Sequence, residues 1–275
     1  MIKKILTAEP VIEGAGVRLK RVFGFYEKGE FDPFLLLDHF GSSNPNDYLQ
    51  GFPWHPHRGM ETVTYLLEGS VEHGDSLGNK GVINNGDVQW MTAGSGIIHQ
   101  EMPKKYDGNM QGFQLWVNLP GKLKMTEPKY RDVLAEQIPV IQINENVKVK
   151  LISGKYLNNE GAVTDLGIDI FYFDVNIDNA EVFEYEIIPE YTVFAYVYEG
   201  EAIFFDSKSV IEKNQMALLE KGNQIKVTTN KSVKFLLVGG KPLNEPIAWQ
   251  GPIVMNTQEE LQQAFEEYRN GTFIK

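Results

Sequence analysis

The chain has no cysteine among its 275 residues. That absence excludes disulfides, thiolate metal sites, iron–sulfur clusters and a cysteine nucleophile together. Long apolar runs are missing too. Stretches such as Phe34–Leu37 fall far short of the ~20 residues a membrane helix needs, so no membrane contact is expected. Positive charge is in deficit, with 26 Lys and Arg against 37 Asp and Glu, a net charge of −11. Without a basic cluster, direct binding to a nucleic-acid backbone is not expected. Met1–Pro10 is basic, but its apolar stretch is too short for a signal peptide, and the expected location is the cytoplasm. What remains is ordinary: 42 % apolar and 23 % charged residues, the balance of a globular protein. At about 150 residues per domain, the length suggests two domains with cores that need no covalent staples.

Glycine and proline punctuate short runs rich in valine, isoleucine, threonine and aromatics. Glu61–Leu67, Val88–Met91, Phe113–Leu119, Val147–Ile152, Ile168–Val175, Val193–Val197 and Val233–Val238 all read as strands. Short strands separated by turns such as Asn85-Gly86-Asp87 predict an all-β sandwich or barrel. One helix is expected near the end. Thr257 and Glu260 have capping-box spacing, and Leu261, Phe265 and Tyr268 recur at helical intervals. Between Pro120 and Ile138, prolines fall among charges without a clear strand, which places a boundary there and gives domains 1–125 and 126–275. Tyr65-Leu66-Leu67-Glu68-Gly69 and Tyr196-Val197-Tyr198-Glu199-Gly200 resemble one another at an offset of 131, as a duplicated barrel would.

The five histidines are His39, His55, His57, His73 and His99. On an extended segment, residues i and i+2 share a face, so His55 and His57 present their imidazoles together. His99 and Glu101 repeat that spacing. If the two segments neighbour one another, His55, His57, His99 and Glu101 converge. Three imidazoles and a carboxylate suit one divalent ion per chain: Fe²⁺ first, with Mn²⁺, Co²⁺, Ni²⁺ or Zn²⁺ as alternatives. In a six-coordinate site two positions stay open for substrate or oxygen. His39 reads as a core residue or an outer partner of the site, His73 as surface, and Glu61 as a hydrogen-bond partner of a ligand rather than a ligand.

His55-Pro56-His57 with a nearby glutamate and a strand ending in glycine resembles the first cupin motif, and Gly86–His99 the second. Thr92 stands where cupins usually carry proline, and two extra residues precede His99. Those departures resemble the pirin family. So do Phe31–Phe40, His55–Gly59, Met91–Gly96, His99–Pro103, Gln114–Pro120, Pro242–Pro246 and Gly251–Thr257, so the resemblance covers nearly the whole chain. It implies a bicupin: two face-to-face antiparallel β-barrels of jelly-roll type, followed here by a short C-terminal helix. It also implies metal in the first barrel, held by His55, His57, His99 and Glu101. The offset of 131 carries His55 and His57 to Glu186 and Ile188, and the offset of 128 that sets Thr92-Ala93-Gly94 opposite Glu220-Lys221-Gly222 carries His99 and Glu101 to Val227 and Thr229; no histidine follows position 99, so no such site is expected there.

The implied activity is that of a quercetin 2,3-dioxygenase, an oxidoreductase that opens a flavonol ring with O2 and releases CO. Glu101 is then the catalytic general base. Trp54, Trp90, Phe40 and Trp116 are candidate walls for a flat substrate, core packing being the competing role for each. The alternative implied by the family is a regulatory protein that binds a protein partner, with the metal structural or redox-sensing.

Overall fold

The computed structural model describes residues 2–205 and 209–275, and it is mostly β with one C-terminal α-helix. The chain forms two compact units, each made of two segments. One contains Glu9–Ala135 and Leu243–Lys275; the other contains the residues up to Ala8 and Glu136–Pro242. A single cut at 125/126 does not describe this division. The strand Ile2–Thr7 pairs with Gln215–Leu219, and Ala248–Gln250, Ile253–Met255 and the C-terminal helix belong with the first half of the chain. Backbone pairing binds segments that are far apart in sequence, so the composition of the 120–138 stretch marks one crossing and not the other two.

The unit that carries the histidines has two sheets. A seven-stranded antiparallel sheet runs in the order Lys129–Val133, Val88–Thr92, Met60–Glu68, Met110–Asn118, Phe34–Ser42, Val17–Phe23, Glu9–Glu13. A four-stranded sheet runs Phe52–His57, Ile97–Pro103, Val71–Asp75, Lys80–Ile83. The strands form where β-branched and aromatic residues fit a pleated, half-buried surface; Met60–Glu68 (METVTYLLE) is buried over its first seven residues.

The helix Gln258–Arg269 starts at the expected cap. The Thr257 hydroxyl accepts from Glu260 N at 3.2 Å, and the Glu260 carboxylate accepts from Thr257 N at 3.1 Å. Leu261 and Ala264 are buried with Ile253, Met255 and Phe273, while Tyr268 is largely exposed and meets Phe273 edge-on.

The other unit is a ten-stranded antiparallel sheet whose path runs Ile2–Thr7, Gln215–Leu219, Thr192–Phe204, Ser232–Gly240, Ile170–Asp178, Val147–Ser153, Val140–Asn144, with three further strands off it. Its core holds Phe171, Phe173, Phe183, Phe235 and a set of valines and isoleucines, among them Val227, one of the positions equivalent to a ligand. The seven strands expected from sequence are all present, several of them longer than expected.

Candidate metal centre

The strands Phe52–His57 and Ile97–Pro103 pair antiparallel, with His55 directly opposite His99. His57 lies two residues beyond His55 on the same face. Three imidazoles therefore meet, with ring centroids 4.4–5.0 Å apart. One nitrogen from each of the three lies within 4.8 Å of the other two.

The outer nitrogen of each ring fixes its tautomer. His55 Nδ1 lies 2.8 Å from Pro53 O and His57 Nδ1 3.2 Å from Pro252 O. A carbonyl only accepts, so both Nδ1 atoms carry the proton. His99 Nδ1 lies 3.2 Å from the Tyr130 hydroxyl, which donates in turn to Gln89 Oε1 at 3.2 Å, so His99 Nδ1 is the donor there. Each neutral ring then has a bare lone pair on Nε2. His55 Nε2 and His57 Nε2 stand 3.1 Å apart, and His99 Nε2 is buried with no hydrogen-bond partner. Burial, and next the neighbouring imidazoles, pull His57 and His99 well below the ordinary histidine range, which keeps both lone pairs available. Three inward lone pairs with protonated outer nitrogens form the donor set of a borderline divalent ion, so the residues fit the metal that the sequence implies.

Glu101 is not part of this tight group. A one-residue register slip separates the His99–His55 pairing from that of Glu101 with Phe52. The carboxylate accepts from the Thr64 hydroxyl at 3.0 Å and from Gln114 Nε2 at 3.2 Å. It lines the same cavity as His55 and His57.

Glu61 does not touch a histidine through its carboxylate bonds. These go to Trp90 Nε1 at 2.8 Å and the Thr92 hydroxyl at 2.6 Å, and burial raises the pKa of the acid. His73 is not on the surface. It is buried, lies 3.1 Å from Asp132 Oδ2 and stacks on the Tyr130 ring at 5.1 Å. The polar look of its turn belongs to its neighbours; the strand Val71–Asp75 turns His73 inward. A Cβ on Gly81 would fall 2.4 Å from His73 Nε2, so only glycine leaves room for this contact. His39 is a core residue, packed on Phe113 with its ring nitrogen 3.0 Å from Gln111 Nε2.

His55 and His57 open onto a cavity of about 630 Å³, within the range of small-molecule sites. Phe40, Trp54 and Trp116 line it. Trp90 does not: it is fully buried, with its indole spent on Glu61. Trp249, Pro252 and Phe25 complete the apolar wall.

The segment around Pro252 thus serves both the wall and His57. Its next residues bridge to the Arg58 backbone, Val254 N donating to Arg58 O at 3.0 Å, while the Arg58 guanidinium reaches Glu267 at 2.8 Å and Phe273 O at 2.8 Å and covers the Phe273 ring at 4.2 Å. Buried Lys124 adds bonds to Gly59 O, Asn118 Oδ1 and Val254 O at 2.6–3.1 Å. Gly59 itself has φ +77°, and a Cβ there would meet Val254 O at 2.0 Å.

The sequence reading missed Tyr130, Thr64, Gln114, Pro252 and Trp249. Thr64 and Gln114 carry a local signal, a polar residue inside an apolar strand. Pro252, 195 positions from His57, carries none.

A pair of β-domains, one of which gathers three histidines beside an aromatic cavity that two of them line, defines a cupin protein able to hold a cation. Residues 16–117 match the family described as Pirin, and residues 172–274 match the Pirin C-terminal cupin domain. The chain belongs to the pirin family. A pirin-like protein of Caulobacter vibrioides is 43 % identical, with 99 % of this chain and 98 % of that one covered. Pirin of Homo sapiens is 42 % identical, with 94 % and 88 % covered. Among solved structures, a quercetin 2,3-dioxygenase from Acinetobacter baumannii superimposes with a TM-score of 0.93 at 34 % identity, with 99 % and 97 % covered. No helix among the described residues is long and apolar enough to cross a membrane.

Proposed function

We propose that this pirin is a metal-dependent dioxygenase that opens the ring of quercetin-like flavonols with O2 and releases CO. The observation that carries the reading is the meeting of three inward imidazole lone pairs, two of them, on His55 and His57, at the wall of a 630 Å³ aromatic-lined cavity. The likeness to the Acinetobacter baumannii quercetin 2,3-dioxygenase supports the substrate class.

His55, His57 and His99 hold the ion, with Glu101, on the wall of the same cavity, as fourth ligand or base. A divalent ion bound there lowers the pKa of a hydroxyl placed beside it. Phe40, Trp116 and Trp249 hold the flat ring system and exclude water. Glu101 accepts the proton of the flavonol 3-hydroxyl. Thr64 and Gln114 orient the carboxylate for that transfer.

The test is quercetin absorbance with Fe²⁺-, Mn²⁺-, Co²⁺- or Ni²⁺-loaded protein, with and without O2, together with CO detection. Metal- and oxygen-dependent loss of the flavonol band with CO formation is the expected result. No turnover with any of these ions overturns the reading for this substrate. Glu101→Gln separates base from ligand: metal retained with activity lost by at least about a hundredfold is expected of a general base.

A further inference from the structure

A row of polar residues crosses the inner face of the seven-stranded sheet. Arg21 pairs with Asp38, Asp38 with Gln114, Gln114 with Thr64, Thr64 with Gln89 and Gln89 with Asp132, each directly across from the next on adjacent strands. The next row on that face, Leu19, Phe40, Gly112 and Leu66, is apolar. Most of the polar row already has work. Thr64 and Gln114 hold Glu101, and Gln89 ties Tyr130 to Asp132. The Arg21–Asp38 end has no part in the proposed chemistry, yet it lines the same cavity.

Arg21 Nε and Nη2 donate to Asp38 Oδ1 and Oδ2 at 2.9 and 2.8 Å, and Nη1 donates to Glu13 Oε1 at 2.8 Å. A guanidinium has five N–H groups, so two are not used by these bonds, and a carboxylate offers about four acceptor positions, of which Arg21 takes two at Asp38. The pair therefore presents a donor and an acceptor side by side. A hydroxyl satisfies both at once; a carbonyl or an ammonium satisfies one. The two carboxylates and one guanidinium sum to −1, which disfavours a carboxylate ligand. Asp38 and Gln114 sit on neighbouring strands, ~5 Å apart, so this end lies several ångströms from the carboxylate that Gln114 holds.

We propose that Asp38, oriented by Arg21, is a specificity-determining residue that binds a second hydroxyl of the substrate while the first lies against Glu101. The preferred ligand is then a flat phenol with at least two hydroxyls set several ångströms apart. The inference rests on the flavonol reading for its substrate class, but it is tested by binding rather than turnover.

The protein is loaded with redox-inert Zn²⁺, and tryptophan fluorescence quenching is titrated without O2 with quercetin and with 3-hydroxyflavone, which keeps only the reacting hydroxyl. Wild type is expected to bind quercetin about tenfold or more tightly, the worth of a hydrogen bond to a charged group. Asp38→Asn should reduce that ratio to about two or less, and Arg21→Lys, which leaves the carboxylate but loses its two-point clamp, to an intermediate value. Equal affinities in the wild type overturn the inference without any variant, as does a ratio unchanged in well-folded Asp38→Asn. Discrimination without turnover in the oxygen assay would sink the dioxygenase reading and keep this one; turnover without discrimination would do the reverse.

Discussion

His55 and His57 face one another nitrogen to nitrogen, their Nε2 atoms 3.1 Å apart, while both Nδ1 atoms are turned to backbone carbonyls. Two lone pairs at that distance repel, and a cation between them reverses the sign of the interaction.

Metal should therefore stabilise the fold. At a free concentration of 100 Kd, a bound ion adds about 2.7 kcal/mol. For a domain of this size that is a rise in Tm of roughly 5–10 °C. Differential scanning fluorimetry with EDTA and then with added Ni²⁺ or Fe²⁺ reads it directly. His57→Ala should abolish the shift. An unchanged Tm in the wild type would contradict a three-histidine site.

Tyr130 should matter to the ion without touching it. Its hydroxyl accepts from His99 Nδ1, and the chain continues through Gln89 to Asp132 and His73. Burial, and then the nearby Glu101, raise the phenol's pKa, so it stays protonated and neutral. Tyr130→Phe keeps the stack on His73 and removes the hydroxyl. Metal affinity should fall about tenfold in competition with a chromogenic chelator, the usual cost of losing an outer hydrogen bond to a ligand. Unaltered affinity would show that packing alone orients His99.

Glu267 should confer acid-sensitive stability. Burial alone would raise its pKa, but hydrogen bonds from Lys275, Gln263 and Arg58 more than offset this and hold it down to about 2. With the folded value below the ordinary 4.5, the stabilisation is complete above pH 4.5 and disappears as pH falls toward 2. Glu267→Gln should cost about 1–2 kcal/mol at pH 7, after allowance for solvent screening at a partly exposed site, and little near pH 2. Urea melts at pH 7, 4 and 2.5 check the trend; a penalty that does not shrink with acid would refute it.

Lys124 has the opposite sign. Burial lowers it from 10.5 to about 7. Between those values the unfolded chain binds more protons than the folded one, so stability rises with pH from about 7 toward 10.5. Lys124→Met leaves three buried acceptors without their donor and should cost about 2–4 kcal/mol. The wild type should gain on this variant by at most ~1.4 kcal/mol per pH unit above pH 7. A constant difference between pH 7 and 9.5 would show that the ammonium keeps its charge and its three bonds throughout.

How much of this was legible beforehand depends on how far apart the partners lie. The i, i+2 spacing places His55 beside His57 on any extended segment, and Thr257 with Glu260 starts a helix wherever that segment lies. Self-similarity at an offset of 131 fits a duplicated barrel, although the shared Tyr-x-x-Glu-Gly is too short to establish one. His73 was misread because a polar turn says nothing of the strand that brings Asp132 and Tyr130 against it.

By itself, then, the sequence determined the all-β class, the placing of His55 and His57 on one face and the absence of any thiolate alternative, since these follow from residue identity and from periodicity within one strand. Tertiary structure alone decided that Glu101 leans on Thr64 and Gln114, that Pro252 orients His57, and that six strands align Arg21 through Asp132 in one polar row. Each of those depends on register between strands. A shift of one residue would turn every side chain of a strand to the other face, and no local pattern records that choice.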